Sequence, residues 1–178
     1  MSGYPYALML KKRRELNCKN KVGNSVKPLK QTEDYNCAVF CVHFLLGLHG
    51  THVLPEVLEP IMGTTKESGT SHDGIKKGFR HYNFKWVEWS GAHVSSLQEF
   101  LPAIINYQYE DKEDGKDGHY CVVLGQGHGF FVIYNPATGE IETLEEKYLS
   151  ENWYSERYGK QWFIQPVKNE VNERFERI

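Results

Sequence analysis

The stretch from Gln31 to Gly50, Gln-Thr-Glu-Asp-Tyr-Asn-Cys-Ala-Val-Phe-Cys-Val-His-Phe-Leu-Leu-Gly-Leu-His-Gly, constrains the fold more than any other part of the chain. It contains the longest apolar run, interrupted only by His43 and Gly47. Val39, Phe40, Val42, Phe44, Leu45, Leu46 and Leu48 would cover a helix nearly all round, so the helix must be buried rather than merely amphipathic. Short polar residues stand ahead of it. Asp34 or Asn36 can accept first-turn N–H groups, which puts Cys37 in the first turn of a helix ending near Gly50. The partial positive charge at a helix N-terminus favours thiolate over thiol. Cys37 is therefore a candidate nucleophile wherever a base lies nearby.

A chain of 178 residues, with 25% charged and 40% apolar, has the size and composition of one globular domain with a real core. No apolar run reaches the roughly 18 residues of a membrane span. The N-terminus carries its apolar and basic parts in the wrong order for a signal peptide, so a cytoplasmic location is expected. In such a compartment Cys18, Cys37, Cys41 and Cys121 are expected as free thiols, and Cys37 and Cys41, one helical turn apart, are poor bridge partners. Before Gln31 the chain has eight Lys or Arg against Glu15 alone, a net of +7, which leaves −9 on the remainder. The basic arm is read as solvated, with an anionic partner as its alternative role. No nucleic-acid module accompanies it.

Residues 1–30 lack sustained periodicity and read as an irregular arm with one short strand at Tyr6 to Leu10. After the core helix, Leu54 to Met62 suggests a brief helix or turn. Thr70 with Asp73 forms a capping box for a helix to about Tyr82, and Phe84 to Trp89 alternates as a strand. Ser95 and Ser96, with Gln98 and Glu99 three residues on, start a short helix that Pro102 stops. Strands are then expected at Ala103 to Tyr109, His119 to Leu124, Phe130 to Tyr134, Glu140 to Thr143 and Gln161 to Val167. An exposed loop at Asp111 to Gly118, a turn at Gly125 to Gly129 and a polar helix near Leu144 to Asn152 complete the pattern. Helices first and strands later predict an α+β chain with an antiparallel sheet.

A catalytic cysteine needs an imidazole. His119 opens a strand directly after a loop, where its side chain can reach a cleft. A five-residue loop at Gly125 to Gly129 would place Leu124 opposite Phe130 and His119 opposite Asn135. Opposed residues in an antiparallel pair are close enough for an amide oxygen to hold one imidazole nitrogen while the other serves the thiol. That is the base-and-orienter geometry of a Cys-His-Asn triad, and a loop one residue longer or shorter would turn Asn135 to the other face. Gln31 lies six residues before Cys37, where its amide and the Cys37 N–H could serve as two oxyanion donors.

The pattern Gln31, Asn36-Cys37-Ala38, Gly69-Thr70-Ser71, Gly118-His119-Tyr120-Cys121-Val122-Val123-Leu124-Gly125 and Tyr134-Asn135-Pro136-Ala137-Thr138-Gly139 resembles the papain-like cysteine peptidases. The resemblance is to the double-glycine leader peptidases that process bacteriocins, and to their soluble relatives. It implies a papain-like fold with Cys37 as nucleophile, His119 as base, Asn135 as orienter and Gln31 at the oxyanion hole. The leader peptidases usually have Asp-Cys-Gly where this chain has Asn36-Cys37-Ala38, and Asp where it has Asn135; papain itself uses Asn there. The expected division is a basic arm over 1–27, one papain-like peptidase domain over 28–167 and a charged tail over 168–178.

The expected activity is hydrolysis of a peptide or protein substrate, with no metal or organic cofactor. Deamidation or acyl transfer would use the same residues. A catalytically silent binding or adaptor module is the alternative of a different class. Cys41 is read as core packing, because a buried helical cysteine is most often a small hydrophobe, and Cys121, on the face of His119 two residues on, is read as core lining. A zinc site from Cys37, Cys41, His43 and His49 lacks the usual ligand spacing, since only the i, i+4 pair shares a face. The aromatic residues, including Trp86, Trp89, Trp153 and Trp162, are read as core or interface, and His72 and Asp73 as helix-start residues.

Overall fold

The computed structural model describes residues 26–109, 118–155 and 159–168. The basic arm except for its last residues, the Tyr6 to Leu10 strand, Cys18, the Asp111 to Gly118 loop apart from Gly118, and the tail beyond Lys168 lie outside the described residues. Three helices come first: α1 (Cys37–Leu48), α2 (Pro55–Met62) and α3 (His72–His81). Strand β1 (Phe84–Trp89) follows, then a short α4 (Val94–Leu97) that continues as a 3-10 turn (Gln98–Phe100). The remainder is β2 (Ala103–Tyr107), β3 (His119–Gln126), β4 (Phe130–Asn135), β5 (Glu140–Glu145), α5 (Glu146–Asn152), the small ribbon β6 (Tyr154–Ser155) with β7 (Gly159–Lys160), and β8 (Phe163–Lys168). The main sheet has six strands in the order β1-β8-β2-β3-β4-β5, every neighbouring pair antiparallel. This is the expected α+β architecture.

Both faces of the sheet are covered. On one face α1, buried from Cys37 to Gly47 except at His43, packs with Leu58 and Met62 of α2 and Ile75 and Phe79 of α3. These meet the strand residues Ile104, Tyr120, Val122, Val132, Tyr134 and Ile164. The alternate residues Ile105, Tyr107, Cys121, Val123, Phe131, Ile133 and Phe163 face a smaller layer of Leu97, Leu149 and Trp153. Strand alternation thus feeds two apolar cores, which explains why β2 and β3 read as nearly continuous apolar runs.

Several boundaries differ from the sequence expectation for identifiable reasons. Asn36 does occupy the N-cap position of α1, but its side chain makes no capping bond. Instead its Oδ1 accepts from Glu33 N–H at 3.3 Å and its Nδ2 donates to Thr32 Oγ1 at 3.1 Å, so it shapes the turn ahead of the helix. The capping residue of α3 is Ser71, which accepts from Gly74 N–H at 3.1 Å, while Thr70 shares a hydroxyl hydrogen bond with Thr64. Strand β2 stops at Tyr107 because Gln108 N–H leaves the ladder for the Asn152 carbonyl at 2.9 Å. Gln161, at φ +53, cannot sit in a strand, so β8 begins at Phe163.

The β3–β4 hairpin departs most instructively. Gly125 and Gln126 remain in β3, and the chain reverses over His128 and Gly129, with Gly127 N–H donating to the Phe130 carbonyl at 2.7 Å. Gln126 pairs with Phe131 and Gly125 with Val132, a register of the wrong parity to put His119 and Asn135 on one face. A β-bulge between Val123 and Gly125 takes up Leu124 as an extra residue, and beyond it Val123 pairs with Ile133 and Val122 with Tyr134. The bulge restores the parity that the shorter turn would have destroyed. Continuing this register puts Cys121, not His119, directly across from Asn135. His119 is its diagonal neighbour on the same face, within reach of a long side chain.

Candidate active site

His119 is the first residue of β3 and Asn135 the last of β4, so both side chains emerge at the rim of the sheet. Both are buried. His119 Nε2 lies 2.8 Å from Asn135 Oδ1. An amide oxygen only accepts, so Nε2 carries the proton and Nδ1 is the imidazole's basic nitrogen. The rings of Tyr109 and Tyr107 stand beside the imidazole, at centroid distances of 4.9 and 5.9 Å.

Asn135 is held at every polar atom. Its Oδ1 also accepts from Ala137 N–H at 3.0 Å, and its Nδ2 donates to Glu142 Oε2 at 3.1 Å and to the Tyr109 hydroxyl at 3.4 Å. Thr138 Oγ1 donates to the other oxygen of Glu142. Glu142 and Tyr109 are absent from the residues singled out in the sequence. The signal for Glu142 was present in the hairpin: Asn135 pairs with Glu140 across the β4–β5 turn, so Glu142 is a diagonal neighbour of Asn135 on the same face.

Cys37 is the first residue of α1, buried with 5% of its surface exposed. Helix α1 rests on the face that carries Tyr120 and Tyr134, whereas His119 and Asn135 issue from the opposite pleat, the one that carries Cys121 and Ile133. The chain leading into α1 is fastened at that rim. Gln31 N–H donates to the Pro136 carbonyl at 2.8 Å, and the Tyr134 hydroxyl donates to the Leu29 carbonyl at 2.5 Å. Gly139, at φ +74, lets Lys30 pass so closely that a Cβ there would lie 2.6 Å from the Lys30 backbone nitrogen. The strap before Cys37 and the turn after Asn135 therefore form one unit.

The Gln31 side chain donates from Nε2 to the Glu33 carbonyl at 2.7 Å, bracing the strap and leaving one Nε2 proton uncommitted by that bond. Because Asn36 does not cap α1, no side chain from that position competes for its first-turn N–H groups.

Cys41 and Cys121 are fully buried, and desolvation pushes both thiols well above their ordinary pKa, with the nearby Cys37 adding to the effect. They belong to the packing on either side of the sheet. His43 Nδ1 contacts the Val53 carbonyl at 2.6 Å and ties α1 to the connection before α2. Among the described residues no group of three or more His, Cys, Asp or Glu could hold a metal ion, and no helix is long and apolar enough to cross a membrane.

Comparison with known proteins agrees with this fold. Residues 25–156 match the Peptidase C39 family. The chain is 29% identical over 130 residues to the lactococcin-G-processing and transport ATP-binding protein LagD of Lactococcus lactis subsp. lactis. That alignment spans 71% of this chain and 18% of the relative, so the chain corresponds to under a fifth of that protein. The peptidase domain of Streptococcus ComA, a bifunctional ABC transporter of a quorum-sensing pathway, superposes with a TM-score of 0.67 at 16% identity, covering 80% of this chain and 98% of that domain. A double-glycine-motif protease from an AMS/PCAT transporter, solved with its leader peptide, gives 0.64 at 15% identity over 79% and 90% of the two chains. At such identities the superpositions establish the fold, and the family match over most of the sequence establishes descent. The chain belongs to the peptidase C39 family, papain-like cysteine peptidases related to those that process double-glycine leader peptides.

Proposed function

We propose that Cys37 is the nucleophile of this peptidase, His119 its general base and acid, Asn135 the orienter of the imidazole, and Gln31 a donor to the oxyanion. The supporting observation is the 2.8 Å hydrogen bond from His119 Nε2 to Asn135 Oδ1, which favours Nδ1 as the basic nitrogen of the imidazole. Nδ1 takes the thiol proton, and the Cys37 sulfur attacks the scissile carbonyl. The oxyanion is met by the Cys37 N–H and the remaining Nε2 proton of Gln31. The imidazolium then protonates the leaving amine, and water, deprotonated by Nδ1, hydrolyses the acyl-enzyme.

The substrate on this reading is a peptide or protein with small residues before the scissile bond. One solved relative is a double-glycine-motif protease, which supports small residues at that position. The names of the relatives, one processing lactococcin G and one bound to a leader peptide, point the same way.

The test is incubation with a proteome-derived peptide library and reading of new termini by mass spectrometry. Cleavage after small residues that disappears in Cys37→Ala is expected. His119→Ala should lower kcat/KM by about 10²–10⁴-fold, and Gln31→Ala by about 10²-fold or more, mostly in kcat. Products one mass unit heavier with no new termini would replace hydrolysis with deamidation. A library unchanged by the wild-type protein, with Cys37 no faster toward iodoacetamide than an ordinary thiol, would identify a silent binding module.

A further inference from the structure

We propose that Glu142 is a positioning residue that locks the Asn135 amide with its oxygen toward His119 and so selects the imidazole tautomer able to take the thiol proton. This inference rests on the preceding reading of Cys37 and His119.

An asparagine orienter has two unlike ends. With Oδ1 toward the ring, Nε2 must be the N–H and Nδ1 the acceptor. With Nδ2 toward the ring, the proton must sit on Nδ1, and the nitrogen needed to deprotonate the thiol is blocked. The orientation of one amide thus decides whether the base works. At Asn135 that orientation is fixed from behind. The Glu142 carboxylate has only acceptor atoms, and its Oε2 lies 3.1 Å from Nδ2. Its other oxygen is held by Thr138 Oγ1, so the carboxylate cannot swing away freely. On the opposite end, Ala137 N–H at 3.0 Å calls for an acceptor. A flipped amide would set oxygen against carboxylate and N–H against N–H, two mismatches at a buried group.

A carboxylate behind the orienter suits an amide and opposes an acid. If residue 135 were Asp, two carboxylates would stand at about the distance of the present hydrogen bond, and one would hold a proton or turn away. Glu142 and Asn135 are therefore a matched pair, and the effect of altering Glu142 should reverse sign with the identity of residue 135.

The experiment is a double-mutant cycle on the full chain with Glu142→Gln, Asn135→Asp and both, measured for kcat, KM and pH profile on a cleaved peptide. In the wild-type background Glu142→Gln should lower kcat about tenfold with KM little changed, the size of one lost charge-assisted hydrogen bond. In the Asn135→Asp background the same change should raise kcat. Glu142→Asp should retain more activity than Glu142→Gln. A ¹⁵N NMR measurement of the His119 ring in the Cys37→Ala protein reads the tautomer without any turnover, with the Nε2–H form expected to dominate and the Nδ1–H form to appear on Glu142→Gln. Thermal melts check that each variant is folded. An unchanged tautomer, or a double variant no faster than Asn135→Asp alone, overturns the role of Glu142. A chain that cleaves nothing while its tautomer follows Glu142 overturns the peptidase assignment of the site and leaves the positioning role standing.

Discussion

Three described cysteines carry one chemistry in three settings. Cys37 stands at the mouth of α1 with a sliver of surface exposed, Cys41 lies one turn deeper, and Cys121 is on β3. Burial holds the thiols of Cys41 and Cys121 protonated. At neutral pH, alkylation mapped by peptide mass should therefore find Cys37 and leave both others unmodified until the protein unfolds. A second consequence follows for stability. Both pKa values are raised in the folded state, so in the unfolded chain these thiols lose protons first as pH rises above about 8.5. The folded state then binds more protons, and stability present below that pH falls above it by up to about 1.4 kcal/mol per pH unit for each cysteine. Denaturant midpoints should decline from pH 8.5 upward, and Cys41→Ala should flatten the slope even as it lowers the midpoint at pH 7.

At the scale of elements, the strap over Leu29 to Gln31 is tied to Tyr134 and to the β4–β5 turn, which joins the chain ahead of Cys37 to the end of the strand that carries Asn135. Gly139→Ala adds a methyl against the Lys30 backbone at a positive φ, and should cost about 2–4 kcal/mol from backbone strain and overpacking. Urea melts of the variant measure it. Activity should fall further than stability, because the displaced strap carries Gln31, the proposed oxyanion donor. The helix of Cys37 is legible from its apolar run, and the strand of His119 from its β-branched and aromatic content. That His119 and Asn135 meet is legible too, but the register that brings them together is not. A two-residue reversal and a bulge at Leu124 each shift the pairing by an odd step, and local composition marks neither. Capping fails for a related reason. Asn36 and Thr70 have better partners in the turns around them than in the helices they precede, and those partners become visible only once the chain is folded.

Across the whole molecule, a sheet covered on both faces separates the large helical core from the smaller one. Phe44 stacks on Tyr134 at 4.4 Å in the larger core, and Tyr134 in turn holds the strap. Phe44→Ala should cost about 3–5 kcal/mol, measured by thermal or urea unfolding, and should loosen the site through Tyr134. The sheet is not assembled in chain order. Strand β8 lies between β1 and β2, although every other strand of the sheet precedes it in sequence. During synthesis, then, a nascent chain that has emerged only as far as residue 160 exposes one bare ladder on β1 and another on β2. Such unpaired edges invite association with other chains until the missing strand slides between them. A stop after residue 160 should therefore yield aggregates rather than a smaller soluble enzyme.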